Sequence, residues 1–153
     1  MEQAPQRRSY PDVPPGVSVA ENNVYLVSYY EEKGFIEASL GGKLTPGELE
    51  VFSEELLELV DAFKGRPYQL LLDYSRAKGL NPSALFALGE IRDRCHERGA
   101  SQIVSVTPGE ADLEHETSHR LQHVMEGREA FVLDPAYAKF APSGYDSAVL
   151  RAA

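Results

Sequence analysis

The sequence predicts an α/β fold: a mixed β-sheet whose N-terminal β-hairpin is followed by βαβαβ-type parallel strands and helices. Three observations carry this expectation. Two runs rich in β-branched and aromatic residues flank a short polar turn early in the chain. Three later segments repeat apolar residues at helical spacing and are bounded by cap and stop signals. Between the helices lie short, nearly continuous apolar runs, the pattern of strands buried on both faces.

Taken in order, "VYLVSYY" (24–30) and "GFIEASL" (34–40) form the hairpin across the turn "EEKG". The period then changes. Thr45 is placed to N-cap a helix, with Pro46 at its first position and Glu48 completing a capping box. Leu49, Phe52, Leu56, Leu59, Val60 and Phe63 make its apolar stripe, and Gly65 stops it. "PYQLLLDYS" (67–75) reads as a buried strand. Asn81 and Pro82 open a second helix with Leu85, Leu88, Ile91 and Cys95 inward and Gly99 as its stop. "ASQIVSVTPG" (100–109) is the next strand, and a third helix spans about 111–126 before Gly127. "EAFVLDP" (129–135) is a last strand, after which "AYAKF" is expected to begin a terminal helix.

The order β-β-α-β-α-β-α-β fits one domain at 19–140. A flexible, proline-rich tail is expected at 1–18 and a loosely docked tail at 141–153. A net charge of −9 argues against nucleic acid or an anionic membrane as the main partner, since both select Lys/Arg surfaces. No run approaches the ~18 apolar residues that span a bilayer. The single cysteine, Cys95, forms no intramolecular disulfide and lies on an apolar stripe; a reducing cytoplasm is the expected location.

The sharpest motif match is "HETSH" (115–119). His115 and His119 stand one turn apart with Glu116 where a zinc peptidase keeps its general base. On the helical wheel, however, Leu113, Thr117, Leu121 and Val124 share one side with Met125 at its flank, and His115, His119 and His123 fall opposite it. His123 is also about 12 Å along the axis from His115, too far for one ion to take all three. The expectation is therefore a solvent-facing histidine row and no catalytic metal. A zinc-dependent hydrolase using His115, Glu116 and His119 is the alternative.

Loops at the carboxyl ends of parallel strands are the usual meeting place for ligands in such sheets. Here they offer Asp73, Ser75, Arg76, Lys78, Asn81, Ser83, Ser105 and Thr107. Hydroxyls and two cations beside helix N-termini suit an anion or a phosphorylatable group. Asn81 also has a simpler role as N-cap, and Asp73 as a partner for its own loop.

Three stretches carry a family resemblance: "IEASLGGKLTPGELEVFSEELLELV", "YQLLLDYS" and "NPSALFALGEIRDRCHERGASQIVSVTP". Over about residues 19–140 the chain resembles the STAS superfamily, the sulfate-transporter and anti-sigma-factor-antagonist domains, and in particular its SpoIIAA-like branch. That resemblance implies a bacterial, non-enzymatic signalling module working by protein–protein interaction, or one binding an apolar ligand, without a cofactor. Where anti-sigma antagonists carry Asp-Ser-Ser-Gly-Leu, this chain has "NPSAL". Asn81 replaces the aspartate, Pro82 occupies the usual phosphoacceptor position and Ser83 matches the second serine. The resemblance places partner recognition at the loop and helix start from Asp73 to Ser83, with Thr107 alongside. A small apolar ligand or lipid, held in a pocket between the sheet and the first helix, is a second candidate, and a second copy of the chain a third.

Overall fold

The computed structural model of the protein describes residues 6–9 and 24–140; the rest of the proline-rich leader and the expected tail at 141–153 lie outside the described residues. Within the leader, Gln6–Ser9 forms an edge strand, β1, paired antiparallel with β2 (Val24–Tyr30). A single 3-10 turn, Glu31–Lys33, carries β2 into β3 (Phe35–Lys43), and Tyr30 pairs with Phe35 as the hairpin closes.

Helix α1 (Pro46–Asp61) starts as expected. Glu48 N donates to Thr45 Oγ1 at 3.3 Å while Thr45 N donates to Glu48 Oε1, so both halves of the capping box are present. Strand β4 (Tyr68–Lys78), helix α2 (Pro82–Glu97) and strand β5 (Ala100–Val106) come next. Asn81 Oδ1 accepts from Ala84 N at 2.8 Å, which caps α2. Gly99 turns α2 into β5 at φ 110°, where an added Cβ would meet the Arg66 carbonyl oxygen at 3.1 Å. Strand β6 (Glu129–Val132) completes a six-stranded sheet in sequential order among the described residues, parallel from β3 onward.

That order decides where the helices go. Each crossover from β3 to β6 advances the same way across the sheet, and right-handed crossovers then place every helix on one face. Leu49, Phe52 and Leu56 of α1, with Leu88 and Ile91 of α2, pack on Ile36, Ala38, Leu70, Leu72 and Ile103 from the strands. The alternate residues Leu71, Val104 and Val106 point the other way. They are covered by Phe35, Ala138 and Phe140, with the Phe35 and Phe140 rings edge-on at 5.4 Å. In place of a terminal helix, only a 3-10 turn at Pro135–Tyr137 precedes this covering segment. Asp134 Oδ1 accepts from Ala136 N there and turns the chain back over the sheet.

The third helix is not continuous. It breaks at Arg120 (φ −112°, ψ 22°) into α3 (Glu110–His119) and α4 (Leu121–Met125). The side chain of Arg120 turns inward to Glu129, and the change of axis rotates α4 relative to α3. Leu121 and Met125, expected inside and at its flank, are 51% and 78% exposed.

Cys95 is fully buried, and burial pushes its thiol up to about 11, against the opposing hydrogen bond to Tyr68 and the charges of Arg98 and Arg92. A thiol reagent such as DTNB at pH 8 should therefore react roughly 100-fold more slowly with the native protein than with urea-unfolded chain, through thiolate fraction alone. Equal rates would place Cys95 at the surface.

Candidate functional site

Strand β4 runs three residues beyond its expected end, so Asp73, Ser75, Arg76 and Lys78 are strand residues and not loop residues. Its pairing with β3 slips between Ser39 and Gly41: Ser39 faces Asp73, but Gly41 faces Arg76. The extra residue makes a bulge, and a bulge re-aims the side chains after it. Asp73 secures it by accepting from Ser75 N at 2.9 Å and from Ser75 Oγ at 2.7 Å. Beyond the bulge, Arg76 and Lys78 are exposed, and Lys78 lies directly opposite Lys43 of β3.

These residues border an open cavity of about 1000 Å³ on the sheet face without helices. Glu37, Ser39, Asp73 and Ser75 are in its lining, with Lys43, Arg76 and Lys78 along the carboxyl ends of β3 and β4. Close by in sequence, Asn81, Pro82 and Ser83 are exposed at the start of α2, and Phe86 one turn on is 69% exposed. Two expected members are elsewhere. Thr107 is buried, its Oγ1 turned to the Gly109 carbonyl at 3.4 Å. Ser105 is buried beneath α2, since β5 alternates and sends it to the helical face.

The space proposed for an apolar ligand, between the sheet and α1, is filled: Leu49, Phe52, Leu56, Leu59 and Val60 are all buried against the strands.

The "HETSH" residues are divided. His115 and His119 are exposed and stacked at 4.0 Å, and His119 Nδ1 lies 2.9 Å from the His115 carbonyl oxygen. Glu116 points the opposite way and is buried against Arg92, Nη1 to Oε2 3.5 Å. His123 also departs from the solvent-facing row. It is half-buried, parallel to His96 with ring centroids 5.4 Å apart.

Sequence reasoning missed the polar groups that receive these residues. Arg92, fully buried on the inner face of α2, donates from Nη2 to Tyr74 Oη at 2.7 Å and from Nε to Ser105 Oγ at 3.1 Å. Its guanidinium lies over the Phe131 ring at 4.9 Å. Burial drives the Tyr74 phenol up to about 12 although Arg92 pulls the other way. At the far end of α2, Glu129 accepts from Arg120 Nε at 2.8 Å and from Arg120 Nη2, and its Oε2 lies 2.8 Å from His96 Nε2. Burial works to raise the Glu129 carboxyl. The hydrogen bonds from Arg120 and His96 and the charges of Arg120 and Arg92 outweigh it and hold the group at about 2.

In overall fold, the chain is similar to an uncharacterized DUF3478-family protein from Shewanella loihica, described as having a SpoIIAA-like fold. The TM-score is 0.52 and the identity 16%, over 75% of this chain and 89% of that one. The fold is SpoIIAA-like. The expected mixed sheet, with its hairpin and parallel βαβ units, is thus found. At this identity the likeness carries the fold and no residue roles. No family model matches the sequence, and no curated protein does. Among the described residues no helix is long and apolar enough to cross a membrane.

Proposed function

We propose that the protein is a non-enzymatic interaction module that holds an acidic segment of a protein partner. The segment lies against the carboxyl ends of β3 and β4 and the start of α2. One observation carries this reading. In a chain of net charge −9, Lys43 and Lys78 sit opposite each other in the sheet with Arg76 beside them. Like charges directly opposite on paired strands destabilise the pair, and among the described residues none of the three forms an ion pair. An anionic partner removes that repulsion. Phe86 adds the exposed aromatic anchor that interaction surfaces favour. Ser83, exposed in the first turn of α2, stands where added negative charge would oppose an acidic partner.

Capture from an extract of the organism that encodes the protein tests the reading. Wild type should retain a partner that ~0.5 M salt releases, as screening of surface charges requires. The triple reversal Lys43→Glu, Arg76→Glu, Lys78→Glu should lose it, and Ser83→Asp should weaken it. Lys64→Glu, an exposed reversal elsewhere, should keep it. Equal capture by wild type and triple variant would reject the proposal.

A further inference from the structure

We propose that His96, His123 and Glu129 form a binding site for a divalent transition-metal ion of the zinc type. The site lies at the opposite end of α2 from the partner surface, about 20 Å along the helix from Ser83 to His96 at 1.5 Å per residue.

The three side chains come from different elements and converge. His96 is in the last turn of α2, His123 is in α4 and Glu129 opens β6. Each offers one ligand atom, and those atoms lie within 4.8 Å of one another, a grouping of ligands that no other His, Cys, Asp or Glu set matches among the described residues. His96 Nε2 is 2.8 Å from Glu129 Oε2, and His123 Nδ1 is 4.0 Å from the same oxygen. Two imidazoles and one carboxylate are a donor set suited to zinc, and a tetrahedral ion held by three protein ligands keeps one position open.

The far nitrogen of His96 is already held. His96 Nδ1 lies 3.1 Å from the Ala100 carbonyl oxygen, so a proton there is donated to the backbone and Nε2 is turned toward Glu129. His123 Nε2 lies 4.0 Å from Asp93 Oδ1, beyond hydrogen-bond distance but with an acceptor on its outer side, while its Nδ1 faces Glu129. Acceptors behind ligating histidines are what fixes their tautomer and ring orientation in metal sites.

A second, independent observation marks the centre. His123 Nδ1 is buried and makes no hydrogen bond among the described residues. A buried polar atom without a partner is costly, and a metal ion supplies the missing contact. Arg120 shares the carboxylate through Nε to Oε1 and Nη2 to Oε2. An ionised carboxylate has about four lone-pair sites on its two oxygens, enough for the guanidinium and one ion together. The ion sits between His96 Nε2 and Glu129 Oε2, in place of the direct contact that now joins them at 2.8 Å. The exposed pair His115 and His119 is the competing location on the same chain.

The test is titration of the EDTA-stripped, full-length protein with Zn²⁺ against a chromophoric chelator, alongside Tm with and without the ion. Wild type should bind one equivalent and gain Tm. His96→Ala and His123→Ala should each weaken binding at least tenfold and abolish the gain, with circular dichroism reporting that the fold is kept. His123 is half-buried on a short helix, less enclosed than His96, so its variant carries the test even if His96→Ala fails to fold. The double variant His115→Ala, His119→Ala should bind as wild type does. Absence of stoichiometric binding, or loss of zinc confined to that double variant, overturns the proposal.

Discussion

Truncating Arg92 to alanine is expected to cost about 3–5 kcal/mol of stability, a large part of what a domain of this size holds in reserve. Arg92 is fully buried and serves three oxygens from three elements: Tyr74 on β4, Ser105 on β5 and Glu116 on α3. Its removal leaves the buried Glu116 carboxyl without its cation, with Oε1 already lacking a partner among the described residues. It also leaves a void under Phe131. Most of the loss comes from stranding the acceptors and little from the attraction itself. The double variant Arg92→Met, Glu116→Leu should consequently recover much of it, because two apolar side chains of similar volume remove both the charge and its need. Urea unfolding of the three proteins measures this. An Arg92→Ala loss below about 1 kcal/mol would mean that water reaches the cluster.

The same residue shows where sequence reading stops. Strand and helix positions were legible wherever the local signal is chemical and short-range: the Thr45–Glu48 capping box, the Asn81 cap, and glycine stops at 65, 99 and 127 that all adopt positive φ. The SpoIIAA-like fold grows out of those positions, because parallel strands in sequential order leave one face to the helices. Periodicity, however, sorts residues by polarity and assumes that charge means solvent. Arg92 comes four residues after Leu88 and three before Cys95, which sets it on the inner stripe of α2; nothing in its chemistry announces burial.

The third helix departs from its expected course for a related reason. A helical wheel needs a constant axis, and a single Arg120 whose side chain is drawn to Glu129 and Asp93 ended it. Past that point every projected face is displaced, which is why Leu121 is exposed and His123 is turned toward His96. The motif "HETSH" is local in sequence and is divided in space. The grouping of His96, His123 and Glu129 is dispersed over 34 residues and has no motif to be found by. For the proposed partner surface the sequence supplied Arg76, Lys78 and Ser83. It lacked Lys43, whose place opposite Lys78 depends on β-sheet register.

Acidification of the metal-free protein is expected to remove about 3 kcal/mol of stability through Glu129 alone. Its carboxyl is held at about 2 in the folded protein against an ordinary value of 4.5. Because the folded value is the lower one, the unfolded chain takes up the proton first. The contribution is complete above about pH 4.5, shrinks as pH falls between 4.5 and 2, and is gone once the folded carboxyl protonates. Other carboxylates titrate in the same window, so the informative quantity is a difference. Glu129→Gln keeps an acceptor for Arg120 and abolishes the titration. The stability gap between wild type and Glu129→Gln should be widest near neutral pH and close toward pH 2, as read from urea midpoints. A gap that stays constant over that range would show that Arg120 and His96 are not what holds the carboxylate charged. Arg120→Met should have the opposite signature. With its principal hydrogen-bond donor gone, the Glu129 carboxyl rises under the remaining influence of burial, and acid unfolding begins at higher pH than in wild type.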